Sequence, residues 1–284
     1  MKTISATAAA KINLYLHITG KTANGYHALD SLVAFANTGD VLEVSPSDRV
    51  TLRISGTYGA ALSSQDNLVM KAATALQQRF HIKEGAAISL QKQLPIGSGI
   101  GGGSADAAAT LQLLTRLWKI NAEPQDMQEL ALSLGADVPA CLQSTSLYMS
   151  GIGEVIEPGP RLSGLFILLV GTGVPLLTRD VFAGYQGQFS QAMPHMRRFA
   201  SNEELIRFLN STRNDLQDAA IALMPEIATI LQALSTEKDC LLSRMSGSGS
   251  TCFGLFAKRK YAEDAAIRLN RQYPGWWIRV AGLL

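Results

Sequence analysis

The chain has 284 residues, 47% hydrophobic and 17% charged, with a net charge of +2 at neutral pH. That length suits one large or two modest globular domains with a real core, and so small and scattered a charge argues against nucleic acid or an anionic membrane as partner. Three widely spaced cysteines, Cys141, Cys240 and Cys252, with no Cys-x-x-Cys, argue against a disulfide framework or a zinc site and suit reduced thiols in a cytoplasm.

In chain order, the N-terminus carries a lysine but no apolar run long enough for a signal peptide. Residues 8–18 alternate as a strand, with Ile12, Leu14, Leu16 and Ile18 on one face and Lys11, Asn13, Tyr15 and His17 on the other. A solvated second face is the plain reading of that pattern. Residues 40–45 and 49–55 read as two strands separated by a turn at Pro46. Residues 66–78 read as a helix with Asp66 as N-cap. Residues 87–94 form a half-buried strand with Ile88, Leu90 and Leu94 on one face. A glycine-rich loop follows, then a helix from near Ser104 to Trp118 and another from Pro124 to Leu134, ended by Gly135. Gly151 to Pro160 is a candidate boundary, and Leu165–Val170 is a buried strand too short to span a bilayer. A mobile-looking stretch, 184–196, precedes helices near 202–210, 213–222 and 226–235. The chain closes with strand 240–246, glycine turn 247–250, strand 251–257, helix 260–271 and strand 275–281. Such an ending suits an α+β layer of helices on an antiparallel sheet.

The loop reads Pro95-Ile96-Gly97-Ser98-Gly99-Ile100-Gly101-Gly102-Gly103-Ser104-Ala105. Glycine lets backbone N–H groups approach a ligand closely, and a helix start adds unpaired donors and the positive end of its dipole. An anion such as phosphate fits there. The loop itself contains no Gly-Lys-[Ser/Thr], so it is not the P-loop of NTPases. Gly97, Gly99 and Gly102 match Gly-x-Gly-x-x-Gly, but the strand before them alternates and a helix, not a strand, follows the first helix. A dinucleotide fold requires the opposite on both counts. The segment resembles the central phosphate motif of the GHMP kinases, the family named for its galactose, homoserine, mevalonate and phosphomevalonate members. A glycine-rich hinge is the plain alternative.

A second likeness lies upstream. Ala10-Lys11-Ile-Asn13-Leu-x-Leu, followed by Gly25-Tyr26-His27-x-Leu29-x-Ser31-Leu32, is similar to the opening of one branch of that family. That branch phosphorylates the 2-hydroxyl of a cytidine diphosphate-linked methylerythritol, with ATP, in the non-mevalonate route to isoprenoid precursors. The alternative is another GHMP kinase acting on a different small alcohol. The resemblance implies that Lys11 and Asn13 lie near the reacting hydroxyl and that Tyr26 and His27 hold the cytosine. An aromatic ring can stack on a pyrimidine, and an imidazole can bond its edge.

Gly135-Ala136-Asp137-Val138-Pro139 matches the family element that carries the catalytic carboxylate; as local structure, Asp137 is a helix cap with Pro139 in the first turn. A Lys11–Asp137 pair is expected, since a nearby cation keeps a carboxylate ionised. Gly247, Ser248 and Gly249 match a second glycine loop over phosphates and substrate; alone, they read as a hairpin turn. Asn67 and Leu68 match a segment beside the adenine, Lys92 a basic position near the nucleotide, and Phe182 the second aromatic against cytosine. Magnesium is implied with ATP, its ligands unassigned; Ser104 is the candidate hydroxyl, and Asp106 reads as an exposed first-turn residue. The resemblance further implies a two-domain α+β GHMP kinase fold. Residues 1–157 would form an ATP-binding domain like the second domain of ribosomal protein S5, and 158–284 a ferredoxin-like domain. The site would lie in the cleft between them, in a cytoplasmic monomer or weak homodimer.

Overall fold

The computed structural model describes residues 3–23, 25–63, 67–162 and 164–284. The elements are β1 (Ile4–Asn13), β2 (His17–Lys21), β3 (His27–Ser47), β4 (Thr51–Ser55), α1 (Leu68–Phe80), β5 (Gly85–Gln91), α2 (Gly102–Leu117), α3 (Pro124–Leu134), α4 (Val138–Gln143), β6 (Leu147–Gly151) and β7 (Val155–Pro158). Then come β8 (Phe166–Gly171), α5 (Thr178–Ala183), α6 (Asn202–Asn210), α7 (Gln217–Leu223), α8 (Glu226–Ser235), β9 (Leu242–Met245), β10 (Cys252–Phe256), α9 (Arg259–Gln272) and β11 (Trp277–Gly282). They fall into two compact units. The first comprises residues 1–10, 38–95 and 101–144; the second comprises 11–37, 96–100 and 145–284.

In the first unit, the second half of β3 pairs antiparallel with β5, from Val41↔Gln91 to Ser47↔Gly85, and β4 pairs parallel with β5. α1 is the crossover that a parallel pair requires. Val69, Ala72, Ala73 and Leu76 of α1 are buried, the spacing of one helix face. That face packs on α2, whose run of alanines allows a close approach. Asn67 caps α1, its side chain accepting from the Val69 N–H; Asp66, the residue expected in that role, lies outside the described residues.

In the second unit, four antiparallel strands take the order β11-β8-β10-β9. With helices after β8 and between β10 and β11, this is the β-α-β-β-α-β arrangement of a ferredoxin-like layer. α8 and α9 pack on the sheet, and Ile227, Ile230, Leu234, Ala262, Ala265 and Leu269 bury against Leu168, Val170, Met245, Cys252 and Phe256. The same unit holds β2, the first half of β3, β6 and β7 as successive antiparallel neighbours.

The expected strand 8–18 is two strands, broken between Asn13 and His17. Its second face is not solvated: Lys11, Asn13, Tyr15 and His17 are all buried. The expected strand 40–45 is the end of the 21-residue β3. α7 starts at Gln217 rather than 213 because Asn214 is otherwise engaged. Its side chain donates to the Met245 and Gly247 carbonyls and accepts from the Leu216 N–H. The stretch expected to be mobile, 184–196, begins just after α5 and has neither helix nor strand. That segment is held by backbone and side chain: Ser190 N–H donates to the Ile18 carbonyl, Met193 N–H to the Asp30 carboxylate, and His195 Nε2 lies 2.9 Å from Asp30. No helix among the described residues is long and apolar enough to cross a membrane.

Candidate functional site

The first glycine loop takes its shape from residues that only glycine suits. Gly97, Gly99 and Gly101 have φ of +59°, +75° and +63°, a region strained for side-chain-bearing residues. Gly101 is the N-cap of α2, with no side chain satisfying the helix end and no acidic residue in the first turn. The helix thus opens two residues earlier than expected, and its first N–H groups are aimed from a glycine surface. A helix start of this kind suits an anion.

Three segments of the second unit lock the loop's front half. Leu176 N–H donates to Gly97, Thr251 N–H to Ser98, and Lys11 N–H to Ile100. A Cβ on Gly99 would lie 2.5 Å from the Ser246 carbonyl oxygen, and one on Gly247 would lie 2.7 Å from the Gly99 oxygen. The two glycine loops therefore pack backbone to backbone. Gly247 and Gly249 also have positive φ, and Ser246, Ser248 and Ser250 are buried. Ser248 Oγ lies 2.9 Å from Thr178 Oγ1. This is no exposed hairpin turn but an internal loop wedged under the first. Its Ser246 was not singled out by sequence: the Oγ accepts from the Asn13 N–H at 3.1 Å and donates to the Gly99 carbonyl at 3.0 Å. One hydroxyl thus ties β1 to both loops.

Lys11 and Asn13 stand at the end of β1, where Lys11 Nζ donates to Asn13 Oδ1 at 3.2 Å and Asn13 Nδ2 donates to Ser31 Oγ at 2.8 Å. Lys11 is 4% exposed.

In the first unit, Lys92 has a different setting. It is 3% exposed, and its ammonium bonds Asp40 and, at 2.7 Å, Asp106. Asp40 also accepts from the Leu94 N–H at 2.9 Å. A Cβ on Gly102 would lie 3.2 Å from Lys92 Nζ, so the cation sits directly beneath the start of α2. Asp106, expected to be exposed, is 3% exposed, and its Oδ1 has no hydrogen-bond partner. Burial, opposed by Lys92 and reinforced by Asp40, pushes its carboxyl up to about 7. For Lys92, burial pulls the ammonium down, but Asp106 and Asp40 outweigh it and the net direction is upward. Leu68 packs against the same helix start, 3.6 Å from a Cβ placed on Gly103. Asp137 precedes α4 but does not cap it with its side chain, contrary to the local reading of the sequence.

A cavity of about 710 Å³ in the second unit is lined by Tyr26, His27, Phe182, Tyr185, Lys21 and Arg179, among others. His27 stacks on Phe182, ring centroids 5.4 Å apart, and meets Tyr185 edge-on at 5.7 Å. Tyr26 is 61% exposed at the edge of this cavity. Burial first, and Lys21 second, hold the His27 imidazole below its ordinary value. Phe182, which the resemblance matched to the second aromatic against cytosine, meets His27. Tyr185 had no sequence signal at all.

Residues 67–145 match the model of the GHMP kinases N terminal domain, and residues 191–275 that of the GHMP kinases C terminal domain. The chain belongs to the GHMP kinases. The 4-diphosphocytidyl-2-C-methyl-D-erythritol kinase of Paramagnetospirillum magneticum is 46% identical over 284 residues, all of both chains. The enzyme of the same name from Cereibacter sphaeroides is 47% identical over 280 residues, 97% of this chain and 98% of its own. A crystal structure of a 4-(cytidine 5'-diphospho)-2C-methyl-D-erythritol kinase superposes with a TM-score of 0.80 at 29% identity, covering 98% of this chain and 99% of that one. Within the GHMP kinases, this chain is a member of that branch. A homoserine kinase from Cytophaga hutchinsonii, at 18% identity and TM-score 0.72, shares the fold. The GHMP kinase fold is therefore the two-domain α+β architecture expected from the sequence.

Proposed function

We propose that this GHMP kinase transfers the γ-phosphoryl group of ATP to the 2-hydroxyl of 4-diphosphocytidyl-2-C-methyl-D-erythritol, a step toward isoprenoid precursors. The observation that carries the substrate is the His27–Phe182 stack in a cavity edged by Tyr26. A flat heterocycle can stack on an exposed ring such as Tyr26, and a neutral imidazole offers both a donor and an acceptor to its edge.

In the reaction, the acceptor oxygen attacks the γ-phosphorus and the bond to the β,γ-bridging oxygen breaks, so that ADP leaves with the electron pair. Asp137 takes the hydroxyl proton. Lys11 and Asn13 fix the acceptor and steady the charge that develops in transfer. The N–H groups of Gly97 to Ala105 hold the phosphates of ATP, with Gly247, Ser248 and Gly249 as the second loop on the reacting groups. Asn67 and Leu68 border the adenine, and Lys92 supports the phosphates from beneath Gly102. Phosphoryl transfer needs this positioning more than covalent chemistry.

Magnesium, when bound, neutralises phosphate charge. The residues present suit an ion held chiefly by phosphate oxygens: among the described residues no group of three His, Cys, Asp or Glu converges. The half-exposed Ser104 is the available hydroxyl, whereas Asp106 is committed to Lys92. The enzyme acts as a cytoplasmic monomer or weak homodimer.

The test is ADP release with Mg-ATP and the cytidyl substrate, beside mevalonate, homoserine and a no-acceptor control, with Asp137→Ala in parallel. Turnover confined to the cytidyl substrate and lost in Asp137→Ala is expected. Turnover on another alcohol sinks the cytosine reading of Tyr26, His27 and Phe182.

A further inference from the structure

The geometry points to Ser31 as a positioning residue: it fixes the amide of Asn13 in one orientation and, through it, the ammonium of Lys11. This rests on the reading above, in which Lys11 and Asn13 act on the reacting hydroxyl.

Ser31 is 1% exposed in β3, where its backbone is paired with Met149 of β6. Its Oγ lies 2.5 Å from the Tyr15 carbonyl oxygen and 2.8 Å from Asn13 Nδ2. A hydroxyl has one proton to give, and a carbonyl oxygen can only accept. Ser31 must therefore donate to Tyr15, and toward Asn13 it can only accept. The NH2 end of the Asn13 amide is thereby held to Ser31, and Oδ1 is turned to Lys11 Nζ at 3.2 Å. A flipped amide would set its NH2 against an ammonium and its oxygen against a hydroxyl whose proton is already used. Both ends of the chain of bonds thus demand one orientation.

The anchor itself is rigid. Tyr15 is fully buried and its hydroxyl donates to Asp30 at 3.0 Å, next to Ser31 in β3. The main chain of Asn13 is held separately by Ser246. The backbone of β1 is thus fixed by one serine and its catalytic side chain by another. The terminal amide torsion of asparagine is soft, and only partners select its orientation. A site held on strands by such supporting bonds keeps its reacting groups in register.

The test compares Ser31→Ala, Ser31→Cys and Ser31→Thr, each alone and with Asn13→Ala. Ser31→Ala should lower kcat about 10- to 100-fold, with the Kd for CDP unchanged; Ser31→Thr, which keeps a strong donor, should restore kcat, and Ser31→Cys should fall between. In the Asn13→Ala background, the Ser31 changes should lower kcat no further, because the group they orient is gone. A purely structural role would instead give multiplicative losses and weaken CDP binding too. Should Ser31→Ala fail to fold, Ser31→Cys carries the same cycle. Full kcat in Ser31→Ala or Ser31→Cys, with Asn13→Ala impaired, overturns the inference alone. Full kcat in both Lys11→Met and Asn13→Ala overturns it together with the reading beneath it.

Discussion

Two lysines of this protein are almost equally buried and yet differently employed. Lys92, 3% exposed, is clasped by Asp40 and Asp106 within the first unit, which together offset its charge. Lys11, 4% exposed, donates in the second unit to the amide oxygen of Asn13, which fixes where the ammonium stands. Burial alone therefore does not tell a structural cation from a chemical one. A carboxylate partner gives an internal ion pair, whose worth is chiefly that breaking it is costly. Lys11 stands instead at the strand end beside Asn13, where the proposed transfer would use its charge.

The sharpest way to break this comparison is to remove each cation. Lys11→Met should lower kcat about 100- to 10,000-fold while the unfolding midpoint in denaturant barely moves. Lys92→Met strands two buried carboxylates and should cost about 3–5 kcal/mol of stability, read as a lower midpoint in urea. A Lys11→Met enzyme that unfolds, or a Lys92→Met enzyme of normal stability, removes the distinction.

The glycine loop permits a finer contrast on one short stretch. Gly99 has φ +75° and no room for a Cβ, with the Ser246 oxygen 2.5 Å away. Gly103, four residues on, lies inside α2, and its Cβ would meet nothing closer than Leu68 at 3.6 Å. Gly99→Ala should cost about 2 kcal/mol or more through strain and overpacking and raise the KM for ATP. Gly103→Ala should be neutral in fold or gain up to about 1 kcal/mol of helix propensity. Equal behaviour of the two would mean that the loops do not need their backbone contact.

Asp106 extends the contrast to pH. Burial pushes its carboxyl up to about 7, far above the unfolded value, so in that interval the native state keeps a proton that the unfolded chain has lost. Its contribution to stability is therefore fully present below the unfolded value, near pH 3.9, and is lost as pH rises through about 7. The slope cannot exceed about 1.4 kcal/mol per pH unit for one proton. Denaturation between pH 5 and 8 should show stability falling with pH, and Asp106→Asn should flatten the fall. A wild-type profile that rises over this range would refute it.

Much of this was legible in the sequence, and what was hidden shares a cause. The later strands and the helices α1, α3, α6, α8 and α9 follow from apolar period alone, and the loop from its glycines. β3 escaped because its two halves pair with different partners, β6 early and β5 late, so Asp30 to Ala36 are buried on both faces and no alternation survives. Lys11 to His17 read as a wet face because their cover comes from far along the chain: His17 meets the Gln191 carbonyl, and Asp30, next to Tyr15, takes Met193 and His195. Asp106 read as exposed because its partners lie 14 and 66 positions earlier in sequence, at Lys92 and Asp40. Residue type and period locate elements; they do not locate what a distant segment lays on top. Ser31 stood in the motif that opens with Gly25 but was given no role there, and Ser246 was given none, since serine is common and only its two partners make it a bridge.

A third lysine completes the series and carries the smallest effect. Lys21 is exposed and touches the cavity wall, where it lowers the His27 imidazole through space, second to burial. With its folded value lowered, His27 is neutral at neutral pH; the little stability it contributes is lost as pH falls through the lowered value. Lys21→Gln should therefore raise the His27 titration midpoint, followed by proton NMR and assigned with His27→Asn, but not back to 6.5, because the larger cause remains. Added salt should shrink the Lys21 part and leave the burial part. A wild-type midpoint at or above 6.5 would mean that the ring is not walled in by Phe182 and Tyr185 as the structure has it. A midpoint that returns fully to the ordinary value in Lys21→Gln would make the exposed lysine, rather than the aromatic wall, what keeps the imidazole neutral for a pyrimidine edge.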